Sequence, residues 1–189
     1  MSNIERVQLS DRVEYRLNGK LHREDGPAIE WANGNKFWYL KGLYHREDGP
    51  AFEWIDGSKE WYIEGKRHRI NGPARELAGG TKLWYVNGLI HRENGPAFEW
   101  AGQGKEWRIH GKCHRIDGPA METSDGTKKW YINGLLHRPD GPAIEFANGT
   151  KEWWLNDKEV SKREVDDFRC NLFLKALINN RRSYKFLRH

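Results

Sequence analysis

The chain has 189 residues, a formal net charge of +5, and a composition that is 13% aromatic, with ten tryptophans, but only 37% hydrophobic. Many rings and few aliphatic side chains predict a thin core rather than a thick globular one. The longest apolar runs are too short for a transmembrane helix, and the N-terminus lacks the apolar segment of a signal peptide. Two cysteines, Cys113 and Cys170, do not amount to a disulfide framework, so we expect a reducing, cytoplasmic setting.

The positive charge is concentrated near the C-terminus. Residues 161–189 contain eight Lys or Arg and three Asp or Glu, a net charge of +5. Removing these from the totals of 32 basic and 27 acidic residues leaves 24 of each in residues 1–160. We therefore expect a neutral body followed by a basic tail.

A short lead-in, residues 1–12, precedes a segment that repeats itself. The stretch "YHREDGPAFEW" at Tyr44 returns as "LHREDGPAIEW" at Leu21 and "IHRENGPAFEW" at Ile90, with three further copies. Its histidines are spaced by 23 residues without an insertion, at His22, His45, His68, His91, His114 and His137. Such regularity predicts one supersecondary unit stacked six times, over residues 13–160.

Each unit has the pattern of a β-hairpin. Rings and β-branched residues alternate with tight-turn signals such as Asn87-Gly88 and Asp56-Gly57. If each repeat had an odd number of strands, the chain would reverse its direction from one repeat to the next. Identical repeats stacked side by side therefore need an even number, so we interpret Asp48-Gly49-Pro50 as a bulge or bend within one long arm. The alternative is a solenoid coil with short strands on different faces.

Several positions recur in every unit, and for these we expect structural roles in turns and packing. The recurring Glu and Lys, such as Glu53 and Lys59, flank one turn and can pair across it. The rings at Tyr15, Trp38, Trp61, Trp84, Trp107, Trp130 and Trp153 are expected to stack as a spine. The recurring arginines are Arg23, Arg46, Arg69, Arg92, Arg115 and Arg138.

Two roles are open for these arginines. The simpler one is an ion pair with a nearby carboxylate, and the other is an anion-binding stripe for nucleotide, lipid head group or nucleic acid. The neutral charge of residues 1–160 favours the ion pair.

The recurring histidines do not form a metal site in this arrangement. Histidines one hairpin apart are about 9–10 Å apart, too far to share a metal ion. We expect no metal, no cofactor and no enzymatic activity, since no unique set of acid, base and nucleophile occurs.

A helix is predicted after the repeats. Ser161 and Glu164 form a capping-box pattern, and Val165, Phe168 and Leu172 begin an apolar spacing that predicts a helix over about residues 162–178. One interpretation is a cap over the last hairpin. The other is that the tail docks an acidic protein, RNA or DNA through Arg181, Arg182, Tyr184, Lys185, Phe186 and Arg188.

Departures from the repeat predict where a binding face is specialised. Leu77 and Thr123 stand where Trp or Phe is usual, and Arg75 follows a Pro-Ala pair. Arg108 and His110 replace the usual Tyr and Asn. Recognition depends on what differs between equivalent repeats, so we predict that Arg75, Arg108 and His110 contact a partner.

The segment "WYINGLLHRPDGPAIEFANGTKEW" resembles a variant of the MORN repeat, and more closely a "WYxNGxxHRxDGPA" repeat of bacteriophage and giant-virus proteins. The resemblance covers roughly residues 13–157. It implies an elongated, single-layer antiparallel β-hairpin array, here with a C-terminal helical cap, that acts as a scaffold or binding surface. Our first functional hypothesis is a non-enzymatic protein-binding repeat protein, a phage or viral factor that binds and inhibits or sequesters a host protein in the host cytoplasm. The alternative function is an anion, nucleotide or nucleic-acid binder using the arginines and the basic tail.

Overall fold

The computed structural model describes the backbone of residues 4–186 and the side chains of residues 4–176. Within that range the protein is mainly β, with short strands in antiparallel hairpins followed by one helix, as the sequence predicts. The chain divides into two compact units, residues 1–112 and 113–189.

The strands are two to six residues long. In chain order they are β1 (Glu5–Gln8), β2 (Arg12–Leu17), β3 (Lys20–Leu21), β4 (Ile29–Trp31), β5 (Lys36–Phe37), β6 (Tyr39–Leu40), β7 (Leu43–Tyr44), β8 (Phe52–Glu53), β9 (Lys59–Glu60), β10 (Tyr62–Ile63), β11 (Lys66–Arg67), β12 (Arg75–Glu76), β13 (Lys82–Leu83), β14 (Tyr85–Val86), β15 (Leu89–Ile90), β16 (Phe98–Trp100), β17 (Gly104–Glu106), β18 (Arg108–Ile109), β19 (Lys112–Cys113), β20 (Met121–Thr123), β21 (Lys128–Lys129), β22 (Tyr131–Ile132), β23 (Leu135–Leu136), β24 (Ile144–Glu145), β25 (Lys151–Leu155) and β26 (Lys158–Val160). The helix α1 is Lys162–Phe186.

Each repeat consists of two antiparallel arms, as the second repeat shows. The first arm is β5 and β6, and it pairs with β7 and then with β8. Between them the Trp38 amide donates to the Ala51 carbonyl, and the His45 amide donates to the Trp38 carbonyl. Residues 46–50 bend away between β7 and β8, and the β6–β7 hairpin forms a two-stranded sheet separate from the main sheet that contains β5 and β8.

Neighbouring repeats continue the sheet. In residues 1–112 the strand order is β1-β2-β4-β5-β8-β9-β12-β13-β16-β17, and in residues 113–189 it is β20-β21-β24-β25-β26. The register places Lys59 opposite both Glu53 and Glu76. The expected cross-strand alignment of Glu and Lys is therefore present. The lead-in also contributes a strand, since β1 pairs with β2.

Two kinds of turn close the hairpins. Lys41 and Gly42 both have positive φ, 52° and 85°, which a two-residue type I′ turn requires. The opposite turn, Ile55-Asp56-Gly57, has Gly57 at φ 89° and a bond from the Gly57 amide to the Trp54 carbonyl. This is the three-residue loop with a left-handed glycine that also suits a hairpin.

The core is thin. The alanine of every Gly-Pro-Ala is fully buried, at Ala28, Ala51, Ala74, Ala97, Ala120 and Ala143. One cluster joins Ala51, Phe52 and Tyr62 to the half-buried rings of Phe37 and Tyr44. A larger side chain than alanine would therefore disturb ring packing at this position.

Helix α1 begins as predicted but continues eight residues further, to Phe186. The Ser161 amide and hydroxyl donate to the Glu164 carboxylate, and the Glu164 amide donates to Ser161 Oγ, which confirms the capping box. Val165 is 2% exposed, and the Phe168 ring lies 6.1 Å from the His137 ring. Leu172 is 46% exposed, so only the first turns of α1 cover the last repeat.

Cys113 and Cys170 form no disulfide bond within the part of the chain that the structure describes. No helix in the described part of the chain is long and apolar enough to cross a membrane.

Candidate functional site

The recurring arginine of each repeat is enclosed on two sides. Arg46 Cζ lies 4.1 Å from the centre of the Trp38 ring, the distance of a cation–π contact. On its other side is Gly49, where an added Cβ would be 2.8 Å from Arg46 Cζ. Gly49 is thus required by the guanidinium packed against it, since its own φ is not positive.

The same guanidinium is bound by acceptors along its edges. Arg46 Nε donates to Asp48 at 2.8 Å, and its Nη1 donates to Glu53 at 3.0 Å and to the Pro50 carbonyl. The bond from Arg46 holds the pKa of the Asp48 carboxyl below its ordinary value. The recurring glutamate thus forms its ion pair with arginine rather than with the lysine that faces it.

All six recurring arginines share this ion pair. The Arg–Glu pairs, with separations of 2.7 to 3.6 Å, are Arg23–Glu30, Arg46–Glu53, Arg69–Glu76, Arg92–Glu99, Arg115–Glu122 and Arg138–Glu145. The predicted pairing with a carboxylate is confirmed. Rings lie 3.8–4.1 Å from five of the guanidiniums, at Tyr15, Trp38, Trp61, Trp84 and Trp130. These rings were expected to stack on one another; the partner of each is an arginine instead.

The recurring histidine links each repeat to the next. His45 Nδ1 accepts the amide N–H of Glu64, at 3.2 Å. Glu64 is the first residue of the next type I′ turn, so the imidazole holds that turn in place. The other histidines bind the amides of Lys41, Asn87, His110, Asn133 and Asn156 in the same way. Because Nδ1 is an acceptor here, the bound imidazole carries its proton on Nε2.

One face of the sheet has a feature that we did not predict from the sequence. Eight residues before the recurring histidine, charged and apolar residues alternate from Glu14 through Phe37, Glu60 and Leu83 to Glu106. The three glutamates are at most 4% exposed. Comparing equivalent positions two repeats apart, rather than one, would have revealed this 46-residue alternation.

Half-buried arginines and one tyrosine hydroxyl compensate these glutamates. Glu60 accepts bonds from the Tyr62 hydroxyl and Arg67 Nε. Burial and that hydrogen bond raise the pKa of the Tyr62 hydroxyl. Burial alone would raise the pKa of Glu14, but its bonds from Arg12 and Arg16 outweigh burial and lower it.

Three open grooves lie between successive repeats, walled by five-residue segments that run from the recurring Arg to the following Pro. We call these segments the arginine loops: 23–27, 46–50, 69–73, 92–96, 115–119 and 138–142. The groove between the first two loops has a volume of ≈ 770 Å³, and its floor contains Trp38, Leu40 and His45. The adjacent groove, of ≈ 510 Å³, has Trp61, Ile63 and His68 at the equivalent positions. In residues 113–189, a groove of ≈ 540 Å³ has Trp130, Ile132 and His137 there.

The floors are alike, but the walls differ. The second residue of the arginine loop is acidic in three loops, at Glu24, Glu47 and Glu93. It is isoleucine in two, where Ile70 and Ile116 are 81% and 85% exposed. These two isoleucines are the most exposed of the large hydrophobic residues in the described part of the chain. Sequence reasoning missed them, although the equivalent position is glutamate in three of the other four loops and proline, Pro139, in the fourth.

The predicted partner contacts lie elsewhere. Arg75 Nε is 2.9 Å from Glu60 Oε1, at an angle unsuited to a hydrogen bond, and Arg108 donates twice to Glu106. His110 is exposed in a type I′ turn, with its ring 4.5 Å from that of His91. The structure does not bring these three residues into a groove, and their role as contacts stays a prediction.

The remaining predicted contacts lie outside the described side chains. Arg181, Arg182, Tyr184, Lys185 and Phe186 belong to the backbone of α1, while Arg188 follows the last described residue. Their predicted role in docking an acidic partner or nucleic acid is therefore a prediction from sequence.

No protein-family model matches this sequence, and a search of curated proteins finds no match. In the described part of the chain, no group of three or more His, Cys, Asp or Glu residues is arranged to hold a metal ion.

Proposed function

We propose that this chain is a non-enzymatic protein-binding repeat protein, and that it recognises a partner segment in the grooves between its arginine loops. The observation that carries the proposal is the contrast between groove floors and walls. The floors repeat the same Trp and His, while the exposed wall residue changes from Glu47 to Ile70 in neighbouring loops. A fixed framework with variable exposed positions is how repeat proteins present binding surfaces.

The wall residues indicate what each groove accepts. The first groove has four wall carboxylates, from Glu24, Asp25, Glu47 and Asp48, and only two of them are paired with an arginine of the loops. Its surplus negative charge favours a basic side chain. The next groove has carboxylates on one wall and Ile70 on the other, which suits a residue with an apolar stem and a charged or polar end.

Groove spacing sets the form of the partner. Successive repeats are two strand spacings apart, about 9–10 Å. A polyproline II segment has three residues per turn and advances about 3.1 Å per residue, so every third side chain lies on the same side and can reach a groove. We therefore expect a partner segment with a basic residue, two intervening residues and then a long amphipathic residue.

The recurring arginines support a framework role instead of anion binding. Each is already bound by a glutamate, and each donates Nη1 to that carboxylate or to the proline carbonyl. A phosphate would have to displace these acceptors.

The repeat resembles repeats of viral proteins. In that setting the partner would be a host protein, and binding to this chain would inhibit or sequester it.

The test is affinity capture from nuclease-treated host lysate, at low and high salt, with matched variants. Ile70→Glu combined with Ile116→Glu changes two groove walls, while Ile55→Glu adds charge at another residue that is 72% exposed, on a hairpin tip. We expect a protein that is retained at high salt by the wild type and by Ile55→Glu, and weakened at least about tenfold by the groove variant. Equal retention by all three, or recovery of nucleic acid alone, would overturn the proposal.

A further inference from the structure

Two of the six arginine loops lack an ion pair that the other four contain. In those four, Nε of the recurring arginine donates at 2.8–3.1 Å to an aspartate two residues later, in the pairs Arg23–Asp25, Arg46–Asp48, Arg115–Asp117 and Arg138–Asp140. The third and fourth loops have Asn71 and Asn94 at this position, and within the described residues neither accepts a bond from its arginine. Arg69 and Arg92 are accordingly more exposed, at 30% and 31%, than the other four arginines, at 21–24%.

The position favours a carboxylate. Bonds from Arg23 and Arg115 hold the pKa values of Asp25 and Asp117 below the ordinary value, as Arg46 does for Asp48. The backbone also differs where asparagine replaces aspartate. Gly72 and Gly95 have φ of 153° and 139°, whereas the glycines that follow the four aspartates do not have positive φ. The two asparagine loops therefore depart from the others in both bonding and conformation.

Both asparagines precede a glycine, and this sequence allows an asparagine side chain to react with its own backbone. Glycine has no Cβ, so its amide nitrogen can approach the asparagine Cγ closely. The Gly72 nitrogen, after losing its proton to base, attacks Asn71 Cγ. The new C–N bond closes a succinimide ring, and the bond from Cγ to the side-chain nitrogen breaks, which releases ammonia. Water then opens the ring at Cγ to leave aspartate, or at the other carbonyl to leave isoaspartate.

Hydrogen bonding distinguishes these two sites from most other Asn-Gly pairs of the chain. In four of those pairs the glycine amide donates to a backbone carbonyl at 2.8–2.9 Å, at Gly34, Gly88, Gly134 and Gly149. Such a bond holds the nitrogen away from the asparagine side chain, and it must open before the ring can close. In the described part of the chain neither Gly72 nor Gly95 donates its amide in this way, and Asn71 and Asn94 are both exposed. Gly19 also lacks this bond, but Asn18 lies in the first hairpin turn, outside the arginine loops.

We propose that Asn71 and Asn94 are sites of spontaneous deamidation, and that each aspartate formed binds the arginine of its own loop. The folded chain thus acquires with age two ion pairs of the kind that the other four loops have from synthesis. Nε of Arg69 and Arg92 supplies the donor, since Nη1 is already bound to a glutamate and a proline carbonyl. This reaction does not depend on the proposed partner binding, because it needs only the loop itself and water.

Peptide mapping by mass spectrometry tests the reaction, after the full chain has been aged in mildly alkaline buffer. We expect Asn71 and Asn94 to deamidate at least about fivefold faster than the asparagines whose following glycine is bonded, Asn33, Asn87, Asn133 and Asn148. In the chain unfolded by urea, where no glycine amide is held, these rates should become alike. Equal rates in the folded chain, or a difference that persists in urea, would overturn the proposal.

Thermal unfolding of aspartate variants tests the ion pair. Asn71→Asp and Asn94→Asp should each raise Tm by roughly 1–3 °C, the modest gain expected of an exposed ion pair. The control Asn148→Asp makes the same change of charge at a hairpin tip, where Asp56 and Asp125 are its equivalents, and should leave Tm unchanged.

A double-mutant cycle assigns the gain to the arginine. In an Arg69→Ala background, Asn71→Asp should no longer raise Tm. The same gain in both backgrounds, or no gain in the wild type, would contradict the proposed ion pair. Fragmentation that separates aspartate from isoaspartate should find aspartate at positions 71 and 94 of the aged chain, and isoaspartate alone at both would also overturn the proposal.

Discussion

Replacing Gly49 with alanine would place a methyl group 2.8 Å from Arg46 Cζ and 2.9 Å from its Nε. Because the φ of Gly49 is not positive, its backbone can hold an alanine without strain. The steric conflict is therefore between the new methyl group and the Arg46 guanidinium. The guanidinium cannot retreat, since the Trp38 ring lies 4.1 Å away on the other side. We therefore expect the methyl group to displace Arg46 from its position.

The size of the effect follows from the contacts that are lost. The cation–π contact contributes about 0.5–2 kcal/mol, and the bond to the Pro50 carbonyl about 0.5–1.5 kcal/mol. Alanine offsets roughly 0.4–1 kcal/mol of this by restricting the unfolded chain. A net loss of about 1–2 kcal/mol in the free energy of unfolding corresponds to a fall of roughly 3–6 °C in Tm.

Thermal unfolding of a double-mutant cycle isolates this cause. With Arg46→Ala as the background, the methyl group meets no guanidinium, so Gly49→Ala should leave Tm unchanged or raise it slightly. The reasoning would be refuted if Gly49→Ala lowered Tm by the same amount in both backgrounds, or raised it in the wild type.

Two further predictions concern the same framework. His45→Phe removes the acceptor for the exposed Glu64 amide, so it should lower the free energy of unfolding by about 0.5–1.5 kcal/mol and speed hydrogen exchange at that amide. An unchanged exchange rate would contradict the proposed link between repeats. The pKa of the Asp48 carboxyl is lowered by Arg46, so its stabilisation is present above the ordinary Asp pKa and is lost as pH falls through the lower folded value. Between about pH 6 and pH 3 the Tm of the wild type should therefore fall more than that of Asp48→Asn, and equal slopes would count against the ion pair.

Periodicity made most of the fold predictable. Histidines at a fixed spacing predicted the stacked hairpins, and the need for an even number of strands predicted the bend at residues 48–50. The capping box at Ser161 was recognisable because Ser and Glu three residues apart satisfy each other's amides. These features depend on contacts that are close in sequence or repeated along it.

Other features depend on three-dimensional neighbours that the pattern does not reveal. Arg46 stacks on Trp38, eight residues earlier and on the other side of a turn. The sequence showed only that an aromatic residue recurs at this position, which suggested that the rings stack on one another. The sequence does not show that Ile70 and Ile116 line grooves, because this depends on how neighbouring arginine loops lie beside each other. The helix continued past residue 178 because the sequence contains no glycine or proline there to end it.

Photo-cross-linking of the captured complex tests the proposed function most directly. A photoreactive residue would be placed at position 70 or 116 in the groove walls, and at position 55 or 172 as controls. Groove binding predicts that positions 70 and 116 give cross-links to one host protein, while positions 55 and 172 give few. Cross-links of equal yield at all four positions, or none at positions 70 and 116, would contradict the view that the grooves are the binding surface.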